Sequence, residues 1–147
     1  MKRIAFGLVL AALPFLLTPS ASAQGAGDKV QKVVIQVSDN DPVRINLALN
    51  NASNVTATLG LDNVLIEIVA YGPGLDLFLK DSKYAPRLQS LFAGGNVKYG
   101  VCHMTMKARH LTEADLIQAD YAQKSIVPSG AVRIMELEEQ GYSYIRP

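Results

Sequence analysis

Short apolar runs rich in β-branched residues alternate along this chain with stretches whose apolar residues recur every three or four positions. The runs are VVIQV at 33–37, VLIEIVA at 64–70, VKYGV at 97–101 and SIV at 125–127. Runs of this kind favour buried β-strands, whereas the three- and four-residue spacing favours amphipathic helices. Regular alternation of strand and helix predicts a mainly parallel sheet with helices packed on both faces.

The helices between the runs have recognisable ends. Asp41 is a suitable N-cap for the first helix, with Pro42 in its first turn, and Gly60 follows its last apolar residue. We expect Ser82 to cap a second helix. Residues 104–110 fit a third helix by the same spacing rule.

The C-terminal part completes the pattern. A fourth helix is expected from Gly130 to Gln140, with Ile134 and Met135 facing the core, and 142–145 alternates as an edge strand. The whole pattern predicts an α/β three-layer sandwich with a mainly parallel, flavodoxin-like sheet of about five strands.

Residues 1–23 have the layout of a secretory signal. Lys2 and Arg3 precede an apolar run, and a small-residue cleavage site ends at Ala23. The run is shorter than the roughly 20 residues needed to span a bilayer. We therefore expect cleavage after Ala23, a periplasmic or secreted mature chain with no membrane insertion, and one domain over 24–147.

Composition excludes some partners and narrows the role of the cysteine. Removing Lys2 and Arg3 from the 14 basic residues leaves 12, against 13 acidic residues, and the chain has no Trp, so nucleic acid is not an expected partner. The one cysteine cannot form an internal disulfide. A lone cysteine in an oxidising compartment indicates a reactive thiol, an intermolecular bridge or a buried inert residue.

The position of Cys102 favours the reactive thiol. Ligands of open parallel sheets bind beyond the carboxyl ends of the strands, and Cys102 directly follows the third run. A helix starting near Met104 would point backbone N–H groups at the sulfur and favour the thiolate, with His103 and Lys107 adding positive charge. Thr105, in the same loop, is a further supporting candidate. The loops after the first two strands supply the binding candidates Ser38, Asp39, Asp41, Tyr71, Gly72 and Gly74.

Two other interpretations stay open from the residues alone. Cys102, His103, Met104, Met106 and His110 are soft ligands of the kind that select copper or zinc, although methionines at helical spacing are more often core residues. The chain could also be an interaction or small-ligand-binding module with a non-catalytic cysteine. The preferred interpretation needs no metal and no other cofactor.

Six segments are characteristic as a set. They are QVSDNDP at 36–42, LNNA at 49–52, VAYGPG at 69–74, VCHMTMK at 101–107, GAV at 130–132 and GYSYIRP at 141–147. Together they resemble the DsrE/DsrF-like family, specifically its exported single-domain branch, over essentially the whole predicted mature chain. The resemblance implies the same three-layer α/β fold.

The resemblance also implies a function. Relatives carry sulfane sulfur as a cysteine persulfide, and the matching cysteine here is Cys102. It implies a homo-oligomer, a trimer or a hexamer, that exchanges sulfur with a protein thiol. Such a protein is a carrier, or sulfurtransferase-like at most. The absence of a second cysteine fits this role, because a neighbouring thiol would attack the persulfide, release sulfide and form a disulfide.

Overall fold

A computed structural model describes residues 29–117 and 124–147. The signal-peptide prediction for 1–23 lies outside the described residues. The strands are β1 Gln31–Val37, β2 Val64–Ala70, β3 Val97–Cys102, β4 Lys124–Val127 and β5 Ser143–Ile145. The helices are α1 Pro42–Leu59, α2 Ala85–Phe92, α3 His103–Ala108 and α4 Gly130–Glu139, with 3-10 helices at Leu61–Asn63, Gly72–Phe78 and Glu113–Asp115.

The strands form one five-stranded sheet in the order β4-β3-β2-β1-β5. Every neighbouring pair is parallel. The predicted α/β fold with a parallel sheet is therefore confirmed, including the terminal strand, which pairs with β1 at one edge. Among the described residues, no helix is both long and apolar enough to cross a membrane.

Helices cover both faces of the sheet, unequally. On one face, buried residues of α1, α2 and α3 pack with the strands into the larger core, where the rings of Phe78, Phe92 and Tyr99 stack with centroids 4.6–6.5 Å apart. On the other face, Ile134 and Leu137 of α4 pack on Val34 of β1 and Val69 of β2. This arrangement gives the three layers that the sequence predicts.

The first helix begins and ends where its signals indicate. The Asp41 carboxylate accepts a hydrogen bond from Val43 N–H at 2.8 Å, and Pro42 occupies the first turn. Gly60, with φ +90°, donates its N–H to the carbonyl of Thr56 at 2.9 Å. A positive φ of this size favours glycine, which explains why the helix stops there.

Two details of the sequence prediction are wrong. The second helix begins at Ala85 rather than at a Ser82 cap, because Ser82 closes the preceding turn: its Oγ accepts from Tyr84 N–H at 3.3 Å and its carbonyl from Ala85 N–H at 2.9 Å. Met135 is 60% exposed, since the buried stripe of α4 passes through Ile134 and Leu137. One residue further along a helix lies about 100° around its axis.

A buried ion pair joins α4 to the sheet. Glu67 of β2 is almost fully buried, and its two oxygens accept from Arg133 Nε at 2.7 Å and Nη2 at 2.8 Å. Gly100 of β3 leaves room for this carboxylate, because a Cβ there would lie 3.0 Å from Glu67 Oε1. The pair therefore fixes the helix across the centre of the sheet.

Candidate functional site

The carboxyl ends of the strands lie side by side at one edge of the sheet. The register pairs Val37 with Ala70, Ala70 with Val101, and Cys102 with Val127. The loops after β1 and β2 and the N-terminus of α3 consequently meet at this edge. The geometry places the turn after β2 against the start of α3, and the loop after β1 one strand further from Cys102.

Cys102 is both the last residue of β3 and the N-cap of α3. Gly100, two residues earlier, faces Glu67 and Arg133 on the α4 side of the sheet. Side chains two residues apart in a strand share a face, so Cys102 also points toward α4. Its residue surface is only 5% exposed.

Four hydrogen-bond donors lower the pKa of Cys102. They are the hydroxyl and the backbone N–H of Thr105, the N–H of Met104, and the N–H of Gly130. Met104 and Thr105 belong to the first turn of α3, whereas Gly130 is the first residue of α4. The first N–H groups of a helix lack partners within the helix, so the N–H groups of Thr105 and Gly130 can act on the sulfur from two helices. Met104 N–H also donates to the Pro128 carbonyl at 3.3 Å.

These contacts set the ionisation of the thiol. Burial raises the pKa of Cys102, but the hydrogen bonds from the Thr105 hydroxyl and from the three backbone N–H groups lower it by more, and the net pKa lies below the ordinary value of 9.0. Donors favour the charged form because a thiolate accepts hydrogen bonds more strongly than a thiol. The surroundings of Cys102 therefore favour the thiolate over the thiol.

His103 and Lys107 contribute less than the sequence prediction expects. Both residues are exposed on α3, and neither is among the main causes of the lowered Cys102 pKa, which are burial and hydrogen bonds. Thr105, in contrast, donates to the sulfur through both its hydroxyl and its N–H. The hydroxyl of this neutral side chain, rather than either cation, is the largest of the causes that lower the pKa of Cys102.

The turn after β2 contacts two of the residues that hydrogen-bond to the sulfur, Thr105 and Gly130. Gly72 donates its N–H to Thr105 Oγ1 at 2.9 Å and has φ +55°. The Tyr71 ring packs so closely on Gly130 that a Cβ at 130 would lie 2.6 Å from Tyr71 Cδ1. Gly74 lies against β1, where a Cβ would come within 2.3 Å of the Val37 carbonyl oxygen. These glycines permit the close approach of three loops.

The loop after β1 has mainly structural contacts. Asp41 caps α1, and Asp39 accepts from Asp41 N–H at 3.3 Å while its other oxygen lies 3.9 Å from Arg44 Nη1. The Ser38 carbonyl would lie 3.4 Å from a Cβ at Gly72. The loop is therefore packed against the Tyr71–Gly74 turn, and no hydrogen bond to Cys102 comes from its described side chains.

Sequence reasoning missed three contributors to this edge. Gly130 donates to the sulfur. The sequence feature that could have indicated it is its position as the first residue of the helix that follows β4. Tyr144 and Arg146, from β5 and the residues after it, both act electrostatically on Tyr71. The pKa of Tyr71 is raised, first by burial, then by Tyr144, while Arg146 opposes the rise and Cys102 adds to it.

The described residues do not assemble the soft-ligand set. No group of three or more His, Cys, Asp or Glu side chains among them lies close enough to hold a metal ion. Met106 is buried in the larger core, whereas Met104 is 63% exposed. The two methionines therefore face in different directions, and the spacing of Met106 reflects packing.

A surface cavity lies beside the thiol network, between α3 and the 3-10 helix Gly72–Phe78. Its volume is about 540 Å³. We call it the Met104 cavity; its walls are Gly72, Pro73 and Asp76 on one side and Met104, Thr105, Ala108 and Arg109 on the other. Arg109 Nη2 and Asp76 Oδ1 form an ion pair of 2.6 Å in its wall.

The fold and the site define a class: an α/β protein with an all-parallel sheet and a single, hydrogen-bonded cysteine at the carboxyl edge. The chain belongs to the DsrE/DsrF-like family, whose model matches residues 31–147. Membership confirms the family predicted from the sequence, and it suggests a sulfur-relay role at the level of the family.

A solved structure shows the same fold. The chain is similar to MTH1491 from Methanobacterium thermoautotrophicum, a protein described as of unknown function. The two share 31% sequence identity and a TM-score of 0.71, over 80% of this chain and 99% of that one. No curated protein matches the chain.

Proposed function

We propose that this protein is a persulfide carrier that accepts sulfane sulfur on Cys102 and passes it to a partner thiol. The observation that carries the proposal is the position of Cys102 at the carboxyl edge of the sheet, as the last residue of β3 and the N-cap of α3. Hydrogen bonds from Thr105, Gly130 and Met104 lower its pKa there. A thiolate is the form that attacks sulfane sulfur. The family suggests the same kind of chemistry.

The absence of a second cysteine supports a carrier in particular. The chain contains one cysteine. Once Cys102 bears the outer sulfur, no thiol of the same chain can attack the persulfide, so sulfide is not released internally. The partner thiolate attacks the outer sulfur, the S–S bond breaks, and the electron pair returns to the Cys102 sulfur.

The sulfur loading of Cys102 is directly measurable. The chain is incubated with inorganic polysulfide and weighed intact and after digestion. We expect one additional sulfur atom on Cys102, removed by a reducing thiol, and none on Cys102→Ser. A wild-type chain that gains no sulfur, although it is folded and its thiol is titratable, would contradict the proposal.

The second candidate is an interaction or ligand-binding module with an inert cysteine. The 5% exposure of Cys102 favours it, because buried free cysteines are often unreactive. Native alkylation separates the candidates: a carrier reacts with iodoacetamide without denaturant, at a rate that follows its lowered pKa. A module reacts only after unfolding.

The compartment and the assembly belong to the same proposal. The sequence of residues 1–23 supports export and cleavage after Ala23, and a mature chain starting at Gln24 in mass spectrometry is the expected result. The family resemblance supports a homo-oligomer, trimer or hexamer, and the exposed apolar side chains of Val132 and Met135 on α4 are available for a subunit contact. Light scattering during size-exclusion chromatography gives the number of subunits.

A further inference from the structure

We infer that the Met104 cavity binds the organic part of a small persulfide, R–S–SH with an apolar R group, which supplies the sulfur to Cys102. The inference rests on the proposed function and adds the chemical class of the donor. Nothing in the family assignment identifies this cavity as a site.

The first support is the connection between the cavity and the thiol. Met104 and Thr105 line the cavity and also donate to the Cys102 sulfur. Gly72 lines it too, and its N–H holds Thr105 Oγ1 at 2.9 Å. Cys102 itself does not line the cavity, but three of its seven lining residues, Gly72, Met104 and Thr105, act on the sulfur or on its hydroxyl donor. A ligand in the cavity therefore contacts residues that hydrogen-bond to the sulfur or orient such a donor.

The second support is the size and lining of the cavity. A volume of about 540 Å³ falls within the range of small-molecule sites, roughly 300–1,000 Å³. Pro73, Met104 and Ala108 give it apolar walls, and the exposed Met104 thioether is flexible and polarisable, as suits contact with sulfur and aromatic groups. An apolar pocket beside a group with a shifted pKa is a typical binding site.

The third support is the charge of the lining. The two charged residues of the cavity, Arg109 and Asp76, neutralise each other across 2.6 Å. Asp76 is also held by Asn40 Nδ2 at 3.4 Å. A small dianion such as thiosulfate would find no net positive charge there. The lining therefore fits an uncharged organic group better than an inorganic anion.

The transfer step needs no further reagent. The Cys102 thiolate attacks the outer sulfur of R–S–SH, and a new S–S bond forms on Cys102. The S–S bond of the donor breaks, and its electron pair leaves with the thiolate R–S⁻. The proton stays on the transferred sulfur, giving Cys102–S–SH. The inner sulfur of the donor is reduced to a thiolate while the Cys102 sulfur is oxidised to the persulfide level, so no external oxidant takes part.

The test compares the rates of sulfur transfer from two donors to a variant in which a larger side chain fills the cavity. Ala108→Phe places a ring in the cavity from an exposed position of α3, and Ala108 is not among the groups that shift the pKa of Cys102. We expect the rate of sulfur transfer from benzyl persulfide to fall about tenfold, and the rate from inorganic polysulfide to stay within about twofold. Ala93→Phe, on an exposed residue outside the cavity, is the matched control and should leave both rates unchanged. Equal effects of Ala108→Phe on both donors, or no effect on either, would overturn the inference.

A binding measurement separates this inference from the proposed function. Benzyl methyl sulfide has no transferable sulfur, and Cys102→Ser cannot accept any. Titrating this compound into Cys102→Ser should shift the NMR signal of the Met104 methyl group, and Ala108→Phe should abolish the shift. An unmoved Met104 signal refutes the cavity even if sulfur transfer occurs. Binding without sulfur transfer to the wild-type chain refutes the carrier function but not the cavity.

Discussion

Gly72 N–H donates a hydrogen bond to Thr105 Oγ1 over 2.9 Å, and this contact directs the threonine hydroxyl. A hydroxyl has one proton to donate and two lone pairs to accept with. One lone pair of Thr105 Oγ1 accepts from Gly72 N–H, so the hydroxyl proton is turned away from that N–H and is available to the Cys102 sulfur. The φ of +55° at position 72 favours glycine, so the turn after β2 helps to orient a donor on α3.

Replacing the hydroxyl should raise the pKa of Cys102. Thr105→Val keeps the shape of the side chain but cannot donate to the sulfur, so the thiolate loses a stabilising contact. We expect the pH dependence of thiolate absorbance to shift to higher pH. Thr105→Ser is the matched control, because it retains the hydroxyl. Titration curves of the Val and Ser variants that coincide would show that the hydroxyl has no such role.

The lowered pKa of Cys102 also predicts a pH-dependent stability. In the unfolded chain the thiol has its ordinary pKa of 9.0, and in the folded chain the pKa is lower. Between these two values the unfolded state binds more protons, so the free energy of unfolding rises with pH in this window. The contribution is fully present above pH 9.0 and is lost as the pH falls through the folded-state pKa.

Urea unfolding of wild type and Cys102→Ser measures this contribution. We expect the difference in the free energy of unfolding between the two chains to grow in favour of wild type as the pH rises through the window. Other titrating groups are common to both chains and cancel in the difference. A difference that is flat across these pH values would mean that the thiol titrates alike in both states.

The contact between Tyr71 and Gly130 should tolerate no added methyl group. In Gly130→Ala the new Cβ would lie 2.6 Å from Tyr71 Cδ1, and overpacking of this kind costs about 1–3 kcal/mol. The displaced backbone also carries the Gly130 N–H away from the sulfur, which should raise the pKa of Cys102. Chemical denaturation and thiol titration report the two effects.

Tyr71→Ala provides the control for this clash. Removing the ring makes room for the methyl group, so the double variant Tyr71→Ala/Gly130→Ala should be more stable than the sum of the two single changes predicts. Strictly additive losses would indicate that the ring and residue 130 do not press on each other.

The fold could be predicted because its signals are local. The apolar run at 64–70 is a strand over its full length, and Asp41 with Gly60 marks the ends of α1 correctly. The predicted cap at Ser82 is wrong because a serine that closes a turn and a serine that caps a helix have the same sequence pattern. The exposure of Met135 depends on where α4 meets the sheet, which neighbouring residues do not determine.

The site could be predicted only in part. The position of Cys102 at the end of a strand follows from periodicity, and the structure places it at the start of α3. The Gly130 donor is brought to the sulfur by the pairing of β3 with β4, a contact between residues distant in sequence. The contact of Gly72 with Thr105 spans 33 positions, so local sequence patterns do not indicate it. His103 and Lys107 are close to Cys102 in sequence, and for this reason the sequence prediction includes them and not the distant backbone N–H.

The buried pair of Glu67 and Arg133 leads to a stability prediction away from the thiol. The hydrogen bonds that Arg133 donates to Glu67 are the main cause that raises the pKa of Arg133. The Glu67 side chain is 3% exposed and that of Arg133 24%, so Glu67→Gln leaves a cation with little access to water. Breaking such a pair costs about 3–5 kcal/mol, and we expect a value near the lower end because Arg133 also contacts Glu136 at 3.3 Å.

Glu136→Gln is the matched control: its side chain is 50% exposed, and exposed pairs contribute about 0–1 kcal/mol. Urea unfolding of the two variants should therefore give clearly unequal losses, and equal losses would mean that burial of Glu67 adds nothing to the strength of the pair.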